Sequence, residues 1–264
     1  YISFAGHVEV LIHRSVWTAF LLIVTTFFFS KWSIFKKILN DKKKLFILFI
    51  SGFLIFINWG VWIYAVSVDK IIDASFGYFI MPIISVFLGN FFFKEPITKK
   101  GKISIFLVII SVSYLLIIDF NSIPWVGLIV ALSWSFYNLF RKKINVETDI
   151  GLLIESLYIL PFVLVAFYFI SINNYNDFSL SNPSLMPLLM LAGPMTVIPL
   201  FLYVRGVELA GLGPAGMIFY ITPTLQFILG FFIYNEQFNI NQLVSFILIW
   251  IAVFIYLKDI YEKN

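Results

Sequence analysis

Residues 74–95 read ASFGYFIMPIISVFLGNFFFKE and residues 215–236 read AGMIFYITPTLQFILGFFIYNE, and the two stretches align without a gap at a constant offset of 141. Seven of the 22 positions are identical: Ala74/Ala215, Ile80/Ile221, Pro82/Pro223, Leu88/Leu229, Gly89/Gly230, Phe91/Phe232 and Glu95/Glu236. Apolar bias alone produces Ile, Leu and Phe matches. The Pro, Gly and Glu matches at one offset are the ones that mark an internal repeat. Each stretch stays apolar for roughly the 20 residues a helix needs to cross a bilayer, so the repeated unit contains a membrane span.

The rest of the chain has the same character. Of its 264 residues 61% are hydrophobic and 12% are charged, against about 25% charged in a soluble domain. The mean hydropathy of +0.98 makes apolar sequence the bulk of the molecule, which excludes a water-soluble protein carrying one anchor. Zero Cys excludes a disulfide framework and a thiolate site, and two His, His7 and His13, exclude a cage of several imidazoles around zinc. No Walker A loop is present to couple this chain directly to ATP. No cofactor or metal is expected, and the chain is not expected to be an enzyme.

Nine apolar stretches of spanning length occur, at about 8–30, 45–68, 71–93, 103–118, 123–140, 151–170, 187–207, 212–234 and 242–257. Runs such as 103–118 do not alternate polar with apolar, so helices rather than barrel strands are predicted. Of the 18 Lys and Arg, 15 fall in connections on one side: after the first, third, fifth and ninth spans. Lys70 alone falls on the other side, while Arg14 and Arg205 lie within spans. This bias predicts that the basic side and the C-terminus are cytoplasmic. It also accounts for the net charge of +4 as topological anchoring, so no nucleic-acid partner is expected.

The repeated helices are the third and eighth spans, five apart, and therefore cross in opposite directions. That is the inverted topology common in transporters. Counted from these helices, residues 120–264 hold five spans and residues 1–119 hold four. The expectation is a five-plus-five protein of ten helices, nine of them present, whose first helix precedes Tyr1.

Glu9-Val-Leu-Ile-His-Arg14, Asn58-Trp59, Ala74 to Pro82, Arg141-Lys142-Lys143, Gly151 to Glu155, Ala192-Gly193-Pro194 to Pro199, Tyr220 to Gln226 and Phe246 to Trp250 resemble, in this order, the RarD family. That family lies in the EamA branch of the drug/metabolite transporter superfamily. The resemblance covers essentially the whole chain. It implies an all-α membrane protein of EamA-type inverted repeats in the bacterial inner membrane, and small-molecule transport in the direction of export, with the substrate undefined.

An ionisable residue inside a span costs about 2.5 to 3.5 kcal/mol on insertion scales, which makes each a functional candidate. Glu9, His13 and Arg14 lie in the outer third of the first span, and Glu9 and His13, four apart, share a helical face. They are read either as a proton-coupling or substrate-recognition group, since His titrates near neutral pH, or as a structural set in which Glu9 and Arg14 neutralise each other. Glu155 matches Glu9 by repeat position, and Arg205 is three residues from Glu208. Glu155 and Arg205 are the expected inward salt bridge or gate.

The expected substrate-binding set is uncharged: Asn58, Trp59 and Trp62 on the second span, Tyr78 on the third, Trp134 and Tyr137 on the fifth, Tyr220 and Gln226 on the eighth. An apolar wall with a few polar tips suits an amphipathic metabolite or drug. The competing reading is chance alignment and interfacial anchoring in a chain that is 20% aromatic. Pro82 and Pro223 occupy equivalent mid-span positions and are expected to hinge their helices. Gly89 and Gly230 are expected to allow close packing, and Glu95 and Glu236 to act as interfacial caps or ion pairs. The leading function is a secondary transporter working by alternating access. Its rivals are a polytopic membrane enzyme using Glu9 and His13 as acid and base, and a non-transporting scaffold. The partners expected are the lipid bilayer and a small organic substrate, with a monomer and a homodimer both left open.

Overall fold

The computed structural model describes residues 6–68, 71–119, 124–173, 175, 177–178, 183–232 and 240–262, and among them every regular element is an α-helix. In chain order these are α1 (His7–Phe28), α2 (Trp32–Leu39), α3 (Lys42–Ser67), α4 (Ile71–Phe93), α5 (Lys99–Asp119), α6 (Trp125–Ile144), α7 (Thr148–Ile172), α8 (Leu185–Ala210), α9 (Leu212–Ile218), α10 (Ile221–Phe232) and α11 (Ile240–Tyr261). Seven of the described helices, α1, α3, α4, α5, α7, α8 and α11, are long and apolar enough to cross a membrane. The chain is an all-α membrane protein.

The two expected spans outside those seven each have a local reason. The fifth is α6, whose last turn carries Arg141, Lys142 and Lys143. The eighth is divided into α9 and α10 at Phe219 and Tyr220. Pro223 has no N–H to offer the Phe219 carbonyl, and the N–H of Thr222 takes that acceptor instead at 2.9 Å, closing a tight turn. Pro82 behaves differently and lies inside a continuous α4. There the Phe79 carbonyl, three residues before the proline, accepts the Tyr220 hydroxyl at 2.7 Å, so the turn between α9 and α10 occupies backbone near the lost bond. The two prolines, expected to bend their helices alike, thus produce one break and one uninterrupted helix.

The chain forms two compact units, each assembled from separate stretches: residues 1–69 with 136–208, and residues 70–135 with 209–264. In the second unit, residues 141 apart face one another. The rings of Tyr78 and Phe219 lie 5.5 Å apart, beside the Phe79 and Tyr220 bond. Ser104 donates to the Ala252 carbonyl at 2.6 Å and Ser111 to the Ser245 carbonyl at 2.9 Å. Adding 141 to 104 and to 111 gives 245 and 252, so these two bonds are one contact made twice, the signature of a two-fold relation. Because the partner number falls as the first rises, α5 and α11 run antiparallel. The unit's core repeats the rule, pairing Phe76 with Met217, Phe79 with Tyr220 and Val108 with Ile249.

At one end of this unit Glu95 folds back over Gly89 and accepts the N–H groups of Leu212 and Gly213, both at 2.9 Å. It thereby caps α9 behind Gly211, whose φ of +100° favours a residue without Cβ. The side chains of Gln226 and the whole of Glu236 lie outside the described residues, as does any contact made at Gly230.

In the first unit α1 runs antiparallel to α7, with His13 against Phe167 near one end and Lys31 bonded to Asp149 at 2.6 Å and Glu147 at 2.9 Å near the other. Partial burial opposes the Lys31 charge, but the bonds to Asp149 and Glu147 prevail and hold its pKa above the usual lysine value. The α3 helix runs parallel to α7, with Phe49 edge-to-face on Tyr158 and Phe53 edge-to-face on Phe162. Glycines set the close approaches. A Cβ on Gly193 of α8 would stand 2.6 Å from the backbone carbonyl carbon of Trp17 in α1. Gly193→Ala is expected to cost about 1–3 kcal/mol through overpacking, and Gly206→Ala, on the same helix with nothing within 4 Å, to be neutral or stabilising by up to about 1 kcal/mol through helix propensity. Thermal unfolding of both variants in detergent checks this; equal effects would contradict it.

Candidate functional site

The polar stripe on α6 starts the site. Trp134, Tyr137, Asn138 and Arg141 recur at the three- and four-residue spacing of one helical face. The side chains of Tyr137, Asn138 and Arg141 are buried, Arg141 having no exposed side-chain surface. Burying a guanidinium costs several kcal/mol after relaxation, and the cost is recovered only by paired charge and hydrogen bonds. Two carboxylates answer it. Arg141 Nε lies 3.7 Å from Glu155 Oε1 and Nη2 lies 3.7 Å from Glu208 Oε1, while Nη2 donates to the Thr148 carbonyl at 3.2 Å. Space for the group comes from Gly151, where a Cβ would overlap Nη1.

Glu155, on α7, is held from three other directions. The Ser51 hydroxyl of α3 donates to Oε1 at 2.5 Å and the Tyr137 hydroxyl to Oε2 at 3.3 Å. Gly52 brings the α3 backbone against that of Glu155, with 3.2 Å between an added Cβ and the Glu155 carbonyl oxygen. The fourth side faces a narrow cleft among α1, α3, α7 and α8, whose polar lining is Ser15, Thr18, Glu155 and Ser156 and whose apolar walls include Trp59, Val197 and Leu200. A carboxylate with a counter-ion behind it and a cleft before it can exchange a proton or hold a cation.

The expected Glu155 and Arg205 bridge is not the one formed. Arg205 is more than half exposed and donates to Glu208 Oε2 at 3.1 Å, three residues away on α8. Glu208 also accepts the Thr148 hydroxyl at 2.7 Å. It is therefore Glu208 that stands between Arg205 and Arg141, and Arg141 that stands beside Glu155. Reading Arg141 as one of three basic anchors concealed this; its spacing from Tyr137 and Asn138 was the available signal. Ser51 carried none, since a serine in an apolar helix is ordinary.

At the opposite end of the unit Glu9 is spent on backbone. Its Oε1 accepts the N–H of Phe178 at 2.8 Å and of Asp177 at 3.0 Å, and Oε2 the N–H of Asp177 at 3.0 Å. His13 Nε2 lies 3.7 Å from Glu9 Oε1, beyond hydrogen-bond reach. The His13 Nδ1 accepts from Trp17 Nε1 at 3.3 Å, which leaves the ring proton on Nε2, and the ring packs on Phe178 at 4.5 Å. Arg14 does not neutralise Glu9 but lies over the Trp59 ring, 4.4 Å from its centroid.

The aromatic set is divided between the units. Asn58 and Trp59 are buried and Trp62 half-buried in the first, with Tyr137; Tyr78 and Trp134 both pack on Phe219 in the second, at 5.5 and 5.8 Å, where Tyr220 is also buried. Trp59 is the member that lines the cleft.

Comparison with known proteins agrees with these helices. Two stretches, residues 2–117 and 122–258, match the EamA-like transporter family. Protein RarD of Escherichia coli K12 is 34% identical over 251 residues, covering 95% of this chain and 84% of the relative. The uncharacterized transporter YojE of Bacillus subtilis 168 is 32% identical over 255 residues, covering 94% and 83%. The chloramphenicol-sensitive protein RarD of Pseudomonas aeruginosa is 26% identical over 252 residues, covering 93% and 82%.

The buried cluster makes unequal demands on its two arginines. Removing Arg141 by Arg141→Gln leaves the buried Glu155 carboxylate without its counter-ion and is expected to cost about 3–5 kcal/mol, and Gly151→Ala is expected to reproduce much of that loss by evicting the guanidinium. Arg205→Ala breaks an exposed pair and is expected to cost about 1 kcal/mol or less. Unfolding of the three purified variants checks the ranking, which an Arg205→Ala loss equal to that of Arg141→Gln would reverse.

Proposed function

This chain belongs to the EamA-like transporter family, and from that membership we propose that it is a secondary active exporter of small amphipathic metabolites or drugs in the bacterial inner membrane. Residues 1–119 and 120–264 act as two repeats of inverted direction, and their relative rearrangement exposes the cargo site to one side and then the other. The lysine-rich connections and the C-terminus face the cytoplasm. The observation that carries the reading is the cleft among α1, α3, α7 and α8, which gives a buried carboxylate, Glu155, a route to a mobile ion or ligand. Trp59 supplies an aromatic wall to that cleft, and Asn58, Trp62 and Tyr137 belong to the same unit, Tyr137 bonded to Glu155.

Glu155 is the coupling group in this reading. Proton uptake there removes half of the charge pairing around Arg141 and so changes the energy of the four-helix packing with each cycle. Arg141 and Glu208 complete the gate that was first assigned to Glu155 and Arg205. Pro223, at the break between α9 and α10, is the better placed of the two prolines to act as a hinge. Glu9 and His13 fit the enzyme alternative poorly, because the Glu9 carboxylate is already engaged by two backbone N–H groups.

Reconstituted into liposomes, the protein is expected to move labelled amphipathic compounds, with chloramphenicol among those tried, faster under an imposed pH gradient than without one. Glu155→Gln is expected to lower the gradient-dependent part by at least about tenfold, the scale of one lost charge-assisted interaction. Flux of the same size with and without a gradient would remove proton coupling, and chemical turnover without flux would replace transport by enzymatic action.

A further inference from the structure

The cleft of the first unit carries more information than its position, because the protons of its polar groups are accounted for one by one. Ser15 donates its hydroxyl proton to the Leu11 carbonyl at 2.9 Å, and Ser156 donates its own to the Leu152 carbonyl at 2.8 Å. A hydroxyl has one proton, so both oxygens present only lone pairs to the cleft. Glu155, ionised, is acceptor-only. Thr18 is 2% exposed, lines the same cleft, and its Oγ1 has no hydrogen-bond partner among the described residues. Three acceptors against one uncommitted hydroxyl make a site short of donors.

The charge count points the same way. Within the buried cluster two carboxylates, Glu155 and Glu208, share the guanidinium of Arg141, which stands 3.7 Å from each and donates a hydrogen bond to neither. Arg205, largely exposed, serves Glu208. Arg14 is nearby but lies over the Trp59 ring and is not part of the cleft lining. Two carboxylates and two guanidiniums balance over the cluster, but among the described residues that line the cleft Glu155 alone is charged, so the charge presented to the cleft is negative.

We propose that this cleft takes the ammonium group of a primary amine, held by the Glu155 carboxylate and by the hydroxyl oxygens of Ser15, Ser156 and Thr18. An ammonium offers three donors and one positive charge to a lining of acceptor oxygens whose charged member is a carboxylate. An anion would meet lone pairs and a carboxylate. A neutral alcohol would satisfy one acceptor and leave the charge unmatched. The apolar walls of Trp59, Val197 and Leu200 then receive the rest of the molecule. This rests on the cleft being the cargo site, and it narrows the cargo to compounds carrying an amine.

The test measures binding, so that it stands apart from transport. The chain contains no Cys, and Val197→Cys places a single thiol on the apolar wall of the cleft. Its alkylation by a maleimide is followed in lipid nanodiscs with three probes that share one ring: 2-phenylethylamine, 3-phenylpropionate and 2-phenylethanol. The amine is expected to slow alkylation at least about fivefold at saturation while the acid and the alcohol do not. Glu155→Gln is expected to abolish the protection. Thr18→Val, which keeps the shape and removes the uncommitted hydroxyl, is expected to raise the half-protecting amine concentration at least about threefold, and this variant decides the matter if Glu155→Gln does not fold. Protection by the acid or alcohol equal to that by the amine, or protection that survives both substitutions, overturns the proposal. A protein that transports but whose cleft ignores amines refutes this inference alone, and one that binds amines without flux refutes the transport reading alone.

Discussion

A guanidinium with no exposed surface has to be neutralised where it stands, and much of the first unit is arranged around that requirement. Arg141 comes from α6, the carboxylates that answer it from α7 and α8, and the hydroxyl that fixes Glu155 from α3. Removing any one of these helices from the arrangement would leave charge in a low-dielectric interior, at a cost larger than most packing errors. The glycines follow from the same demand. Gly151 makes room for the guanidinium itself, and Gly52 lets α3 come close enough for Ser51 to reach Glu155.

The second unit is held by different means. Its core is apolar, and between α5 and α11 its buried polar contacts include serine hydroxyls given to carbonyls of the facing helix, from Ser104 to Ala252 and from Ser111 to Ser245. Residues 141 apart meet at Phe79 and Tyr220, where the equivalent positions of the two stretches touch each other directly. The first unit holds the ion cluster and the cleft.

How far this was legible in the sequence differs by element. Seven of the nine expected spans are met among the described residues by helices long and apolar enough to cross a membrane, because hydrocarbon imposes length and composition on any helix that crosses it, and the offset of 141 announced the repeat whose members face one another in the second unit. The break at Phe219 and Tyr220 was not readable, since Pro82 and Pro223 look equivalent and only the neighbours decide which helix tolerates its proline. Glu155 was found because a carboxylate inside a span is conspicuous. Its partner was missed because Arg141 stands in a run with Lys142 and Lys143, and the statistical rule for basic anchors does not distinguish an arginine that turns inward from two lysines that do not. Arg205 misled for the opposite reason: it lies within an apolar stretch, yet its side chain reaches the surface and pairs locally.

The account depends on Arg141 and Glu155 acting on each other, and a double-mutant cycle measures that directly. Unfolding free energies of the wild type, Arg141→Gln, Glu155→Gln and the double variant, determined in the same detergent, give the coupling between the two side chains. Each single change is expected to be costly and the double change to cost little more than either, a coupling above about 1.5 kcal/mol, within the range seen for residues that share one network. Losses that add to within about 0.5 kcal/mol would mean that the two groups do not sense one another, and would contradict the account.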